Sequence, residues 1–355
     1  MTKDIPCLVA DIGSGFIKAG LALEDMETSI IPSLLARQKN SSTVEHFTSE
    51  AARRSSHMDI SRPIKDGIVV NKEDYTLLMR HIFSKELKIE VENFSFLGSK
   101  NPDESMKSQM ENIELFFEEF KVPAYSTIDR ALLTLYGGGM HSGMVVDCGE
   151  HSTRVSAIVN GTNHIHEMKT LNYGAGQLTK DLMDILNTKG HKVDLEMTRL
   201  VKEGKCYASN NYDESIAKFK SGELKEKSFE LPDGQFLKLK EEQFTEVEKY
   251  FQPHLYGSFT PGLHFLIDEV ISKFDLASKR SLYNHFCISG GGAEITNFEN
   301  RLVEEAGKLT PRSFSYTVQE SEKKQNLGWV GGSIACTLSS FKNHWIEKED
   351  YEEYG

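Results

Sequence analysis

Asp11, Gly13, Ser14, Gly15 and Lys18 stand together in VADIGSGFIKAG, residues 9–20, between two apolar runs. Glycines let a backbone approach an anion and turn its N–H groups toward it. Ser14 offers a hydroxyl, and Lys18 a point charge for phosphate oxygens. Asp11 repels phosphate, so a divalent cation or its water has to lie between them. The same residues also make an ordinary glycine hairpin with a surface lysine, and this stretch alone leaves both readings open. A second stretch follows the same logic. Asp147 closes an apolar run and is followed by Gly149, Glu150, His151, Ser152 and Thr153. Two such loops can grip a phosphate chain from both sides, with hydrated Mg2+ near the acids. A third piece, Ser289-Gly290-Gly291-Gly292, ends an apolar strand and precedes a helix, where glycines can pass close to a nucleoside or aim N–H groups at a ligand. Neither GxxxxGK[ST] nor GxGxxG occurs, so a Walker A loop and a dinucleotide fold have no support.

The elements that must position these groups alternate between strand and helix. Residues 6–12 and 16–23 read as strand, tight turn, strand, and 143–161 repeat that pattern. Residues 35–62 are polar and basic with few apolar anchors and read as a surface loop with a short helix. Helical spacing marks 72–89 and 104–121. Residues 122–140 read as a strand end and a short helix stopped by Gly137, Gly138 and Gly139. Helices are expected over 177–189 and 194–207 and near 263–275. A hairpin turn is expected at Pro232, Asp233 and Gly234 within the charged stretch 208–241. Residues 284–307 read as strand, glycine loop, helix, and the GWVGG run as a glycine turn leading into a last helix. Strand–Asp-x-Gly–strand thus occurs twice, which points to two related α/β halves facing one cleft.

Length and composition bound the answer. The 355 residues, 39% hydrophobic and 26% charged, fit an ordinary globular protein of about two domains. The net charge of −12 opposes nucleic acid and acidic lipid as partners and suits basic protein surfaces. Cys7, Cys148, Cys206, Cys287 and Cys336 are scattered, with no CxxC pair, against a disulfide framework or thiolate metal site. MTKDIPC carries no apolar signal region and no run reaches membrane-spanning length, so an intracellular compartment is expected. His141, His151, His164 and His166 cluster loosely. His164 and His166 are suited to a strand, but no third ligand completes a metal site, so packing roles are expected.

DIGSGFIKAG, MVVDCGEHST, LVKEGKCYAS, FELPDGQ, YFQPHLYG, CISGGG and GWVGGSIACTLSSF, in this order, resemble segments of actin and the actin-related proteins. The resemblance covers nearly the whole chain. It implies the actin-like α/β fold: two related lobes, four subdomains, around a nucleotide cleft. The first lobe would run over 1–137, with a short polar insertion near 33–70 and a return through 328–355. The second would run over 138–327, with an insertion near 176–262. The cofactors implied are ATP or ADP with Mg2+ or Ca2+. By position, Asp11 and Asp147 would hold waters of the cation. Gly13, Ser14, Gly15 and Lys18 would contact phosphate, with Gly149 and Glu150 on the second loop. Lys202 and Glu203 would border the adenosine beside Gly290 and Gly291, although without the resemblance that pair reads as a solvated helix face.

The chain departs from the family where hydrolysis is organised. Arg130 stands at the position of the hydrolytic glutamine, Arg154 at that of the histidine after the second loop, and Glu150 at that of the second-loop aspartate. Arginine is a permanent cation and cannot take a proton from an attacking water. Arg130 can neutralise phosphate as an arginine finger does, grip the γ-phosphate or form an ion pair. In each case ATP hydrolysis is expected to be slow or absent. Between Arg37 and Thr48 the chain is several residues short, and RQKNSSTVEHFT lacks the apolar tip suited to insertion into a neighbouring subunit. The sequence ends at EDYEEYG without the family's basic and aromatic tail, and MTKD is less acidic than the family's start. Asp66 replaces a family histidine, and Gln325 lies near the position of a lysine flanking the adenine. These departures favour a structural subunit docked in a larger assembly, with actin or actin-related subunits among its partners, and a cytoplasmic, cytoskeletal location with cilium and nucleus left open. A polymerising, hydrolysing actin and a small-molecule kinase on the same fold are the competing readings.

Overall fold

The computed structural model describes residues 5–22, 28–39, 41–53, 58–231, 234, 236–321 and 323–354. Two mixed sheets carry the architecture. In the first, Cys7–Ile12 pairs antiparallel with Phe16–Leu21 and parallel with Ser95–Lys100. Ala124–Asp129 continues the parallel run, and Ser29–Pro32 and Ile346–Glu347 form the two edges. The second sheet repeats the central motif. Gly143–Cys148 pairs antiparallel with Thr153–Val159 and parallel with Phe286–Ser289. Thr162–Asn163 and Lys169–Leu171 extend it. The central strands are buried along almost their whole length because both faces are covered, as a parallel core requires.

The helix Arg130–Gly137 joins the two halves. Asp129 caps it, its carboxylate accepting from the N–H groups of Ala131 and Leu132. Leu133 packs with Val9 and Leu97 on the first sheet and with Trp329 of the helix Leu327–Thr337. Ala131 and Leu135 pack with Val145, Ile158 and Cys287 on the second. One short amphipathic helix therefore spans both cores and delivers its first residue, Arg130, to the cleft between them.

Three expectations are corrected here. Residues 35–62 are not a loop with a helix alone: Leu35–Arg37, Val44–Phe47 and Asp59–Ser61 form a three-stranded antiparallel sheet beside the helix Thr48–Arg53. Its small core is Leu34, Ala36, Ala51 and Ala52, so the alternation that betrays a strand is muted by alanine. The glycines of GWVGG do not form a turn. They lie inside the helix Leu327–Thr337, which packs against Arg130–Gly137 so closely that a Cβ on Gly331 would collide with the Leu133 carbonyl. His164 and His166 belong to a single 3-10 turn, Ile165–Glu167 and its cap, rather than a strand. The His164 ring meets Phe274 edge-on at 5.0 Å.

Elsewhere helices occupy Lys72–His81, Met106–Glu114, Ala175–Thr188, Leu195–Lys205 and Leu263–Ser272, with Phe298–Leu309 following the glycine loop. Lys227–Glu230 and Phe236–Leu239 form a hairpin. Pro232 and Asp233 of its expected turn lie outside the described residues. The five cysteines are free thiols. Among the described residues no helix is long and apolar enough to cross a membrane.

Candidate functional site

The two hairpins meet at a cavity of about 480 Å³. Asp11, Gly13, Ser14, Gly15 and Lys18 line it from the first hairpin, and Asp147, Gly149, Glu150 and Arg154 from the second. Arg130, Lys202, Glu203, Gly290 and Gly291 complete the set singled out in the sequence, and all of them reach this one space. The hairpins approach closely: a Cβ on Gly15 would lie 3.0 Å from Glu150 Oε2. Gly290 is held at φ +88, where a Cβ would strike the Cys148 carbonyl, so that position admits glycine alone.

Strand register sets the charges. Asp11 lies opposite Lys18 and Asp147 opposite Arg154, one acid and one cation on each hairpin. In the first hairpin the pair closes, with Lys18 Nζ 3.3 Å from Asp11 Oδ2. Arg130 adds a second cation. Its Nε donates to Asp11 Oδ1 at 3.0 Å, and its Nη2 donates to the Ile12 carbonyl and, at 3.3 Å, to Ser99 Oγ. Ser99 in turn donates to Asp11 Oδ1 at 2.8 Å. Burial of Asp11 resists its charge, but Lys18, Arg130 and the Ser99 hydroxyl prevail and hold its carboxyl down at about 2. Of the expected roles for Arg130, the observed one is the ion pair.

The second hairpin is wired differently. Asp147 accepts from the Ser289 hydroxyl at 3.3 Å. Arg154 turns away to Asp103, 3.6 Å distant, and leaves its buried Nε without a partner. His151, also on the lining, has a buried unpartnered Nδ1.

Lys202 is buried and already engaged. Its Nζ donates to the Ala175 carbonyl at 3.0 Å and to Thr179 Oγ1 at 2.9 Å, and burial lowers its pKa. It anchors the start of the helix Ala175–Thr188 while its stem lines the cavity. Glu203 is exposed and pairs with Arg199 at 3.0 Å.

Sequence reasoning did not foresee the contacts that close the cleft. Ile64–Lys65 and Ile68–Val69 form a two-residue hairpin around Asp66 and Gly67, at φ 52 and 74. Gly67 N donates to Ser14 Oγ at 3.0 Å, and Ser152 Oγ donates to Asp66 Oδ1 at 2.7 Å. The hairpin thus ties the first glycine loop to the second. Asp-Gly between isoleucines in IKDGIV is the signal that announces this turn.

Two lobes built on one repeated hairpin motif, with a charged cleft between, define a two-lobed α/β protein. The family model described as Actin matches residues 2–197 and 191–355, and the chain belongs to the actin family. Proteins of this family generally bind nucleotide and a divalent metal.

Proposed function

We propose that this chain is an ATP-binding structural subunit of a larger protein assembly, cytoskeletal in kind, that hydrolyses ATP slowly or not at all. The observation that carries the reading is the placement of Arg130. It lies at the base of the cleft with its guanidinium committed to Asp11, Ile12 and Ser99. A guanidinium has no lone pair with which to accept a proton from water. Arg154 on the opposite hairpin is likewise a donor only. Asp11, held near 2, is too weak a base to help at neutral pH. The phosphate chain would lie among Gly13, Ser14, Gly15, Lys18, Gly149 and Glu150, and the nucleoside near Gly290, Gly291, Lys202 and Glu203. Ligand binding then favours the folded, closed lobes by mass action without turnover.

The test is the nucleotide released on denaturing protein purified from its native cells without added nucleotide. ATP is expected. ADP in majority would mean the site turns over and would overturn the assignment of Arg130 and Arg154. Release of neither would remove the nucleotide reading.

One observation favours the polymerising alternative. Phe259 is fully exposed at the tip of the loop between Gly257 and Gly262, an apolar anchor for another protein surface. Sedimentation with magnesium and ATP separates the readings, since a docked subunit stays in the supernatant and a filament former pellets.

A further inference from the structure

Of the acids that would face a hydrated cation, Asp11 is already compensated by the protein itself. Asp11 Oδ1 takes Arg130 Nε at 3.0 Å and Ser99 Oγ at 2.8 Å, and Oδ2 takes Lys18 Nζ at 3.3 Å. A carboxylate has about four acceptor positions, and three are filled. Arg130 also feels the charge of Asp147 from the second hairpin. Asp11 thus faces two cations, Lys18 and Arg130, before any ligand arrives. A dication placed there would add its charge beside a guanidinium that cannot lose its own. Among the described residues no three His, Cys, Asp or Glu side chains gather to ligate a metal elsewhere. The donor set therefore does not fit the divalent metal general in the family.

We propose that this chain binds nucleotide without a divalent cation, with the Arg130 guanidinium, paired to Asp11, supplying the positive charge that a hydrated cation would bring. Lys18 and Arg154 complete the compensation of the phosphate chain. Lys18 stands beside the glycine loop, and Arg154 lines the same cavity. This rests on the nucleotide reading above and sharpens it.

The experiment measures ATP binding to nucleotide-stripped protein by calorimetry, once in EDTA and once in magnesium chloride, together with the metal content of the ATP-loaded protein. Dissociation constants within about tenfold of each other, with far less than one metal per bound nucleotide, are expected. Binding more than about tenfold tighter in magnesium, or one metal per nucleotide, overturns the proposal while leaving the nucleotide reading intact. No binding in either buffer removes both. In R130Q Asp11 loses one of its two cations, and the magnesium-to-EDTA ratio is expected to rise above about tenfold. R130K, which retains the charge, is expected to stay below it. An R130Q protein that folds, by its circular dichroism, and keeps the wild-type ratio would overturn the assignment to Arg130. The wild-type comparison stands whether or not R130Q folds.

Discussion

Asp11 lies opposite Lys18 in the first hairpin and Asp147 opposite Arg154 in the second, yet the first hairpin keeps that pairing as an ion pair and the second does not. Asp11 is buried and holds two cations and a hydroxyl. Asp147 is half-buried, and Ser289 is its hydrogen-bond partner. The backbone repeat is the same, so the asymmetry comes from outside both hairpins. It comes from the helix Arg130–Gly137, which enters from between the sheets and gives its first side chain to one acid. A repeated fold sets where the acids go, and a single bridging residue decides which of them carries structural weight.

The sharpest way to break that comparison is to neutralise each acid in turn. Asp11→Asn leaves Arg130 buried without its carboxylate, and breaking a buried pair on one side costs about 3 kcal/mol. Asp147→Asn removes no direct ion pair and is expected to cost well under about 1 kcal/mol. Urea unfolding of the two variants measures the difference. Equal losses would mean that Arg130 serves both acids alike.

The same asymmetry has a pH signature. The Asp11 carboxyl lies at about 2 in the folded chain against an ordinary 3.8. A depressed folded value means the stabilisation is complete above the unfolded value and is lost as pH falls through the folded one. Between pH of about 4 and about 2 the protein should therefore lose about 2 kcal/mol through this residue. Stability curves of wild type and Asp11→Asn should converge over that window, and curves that stay parallel would show that Asp11 is not the group responsible.

Much of the cleft was legible because its residue types recur at fixed spacing. Asp11 to Lys18 and Asp147 to Thr153 are local stretches, and local stretches fold into hairpins that carry their own side chains to the cleft. The Arg130–Asp11 pair spans 119 positions and the Ser152–Asp66 bond spans 86. No periodicity encodes such a meeting, and only the relative placement of the two sheets creates it. The sheet within 35–61 escaped notice for a different reason: its core is built on Ala36, Ala51 and Ala52, which carry too little apolar surface to stand out from their polar neighbours. The glycines at 328, 331 and 332 look like turn residues in sequence, but they lie in a helix where Gly331 meets the Leu133 carbonyl, Gly332 meets Val9 and Gly328 meets Asp11 too closely for a side chain. For the Arg130 and Ser152 contacts and for these glycines, the missing information lay in a distant partner.

The smallest expected effect concerns what holds the two hairpins to one another. Ser152 on the second hairpin donates to Asp66 at 2.7 Å, and Gly67 beside it donates to Ser14 on the first. The Asp66–Gly67 turn is thus a clasp between the two glycine loops. Ser152→Ala removes the donor. Asp66→Gly removes the acceptor while tolerating the positive φ of that position. Because Ser152 is buried while Asp66 is only partly so, the bond should be worth about 1 kcal/mol in a double-mutant cycle. Amide exchange at Gly67 and around Ser14 should quicken in either single variant and quicken no further in the double. Additive losses with no coupling would show that the two hairpins are positioned by the helices Arg130–Gly137 and Leu327–Thr337 alone. The electrostatic asymmetry between Asp11 and Asp147 would then owe nothing to the turn that spans them.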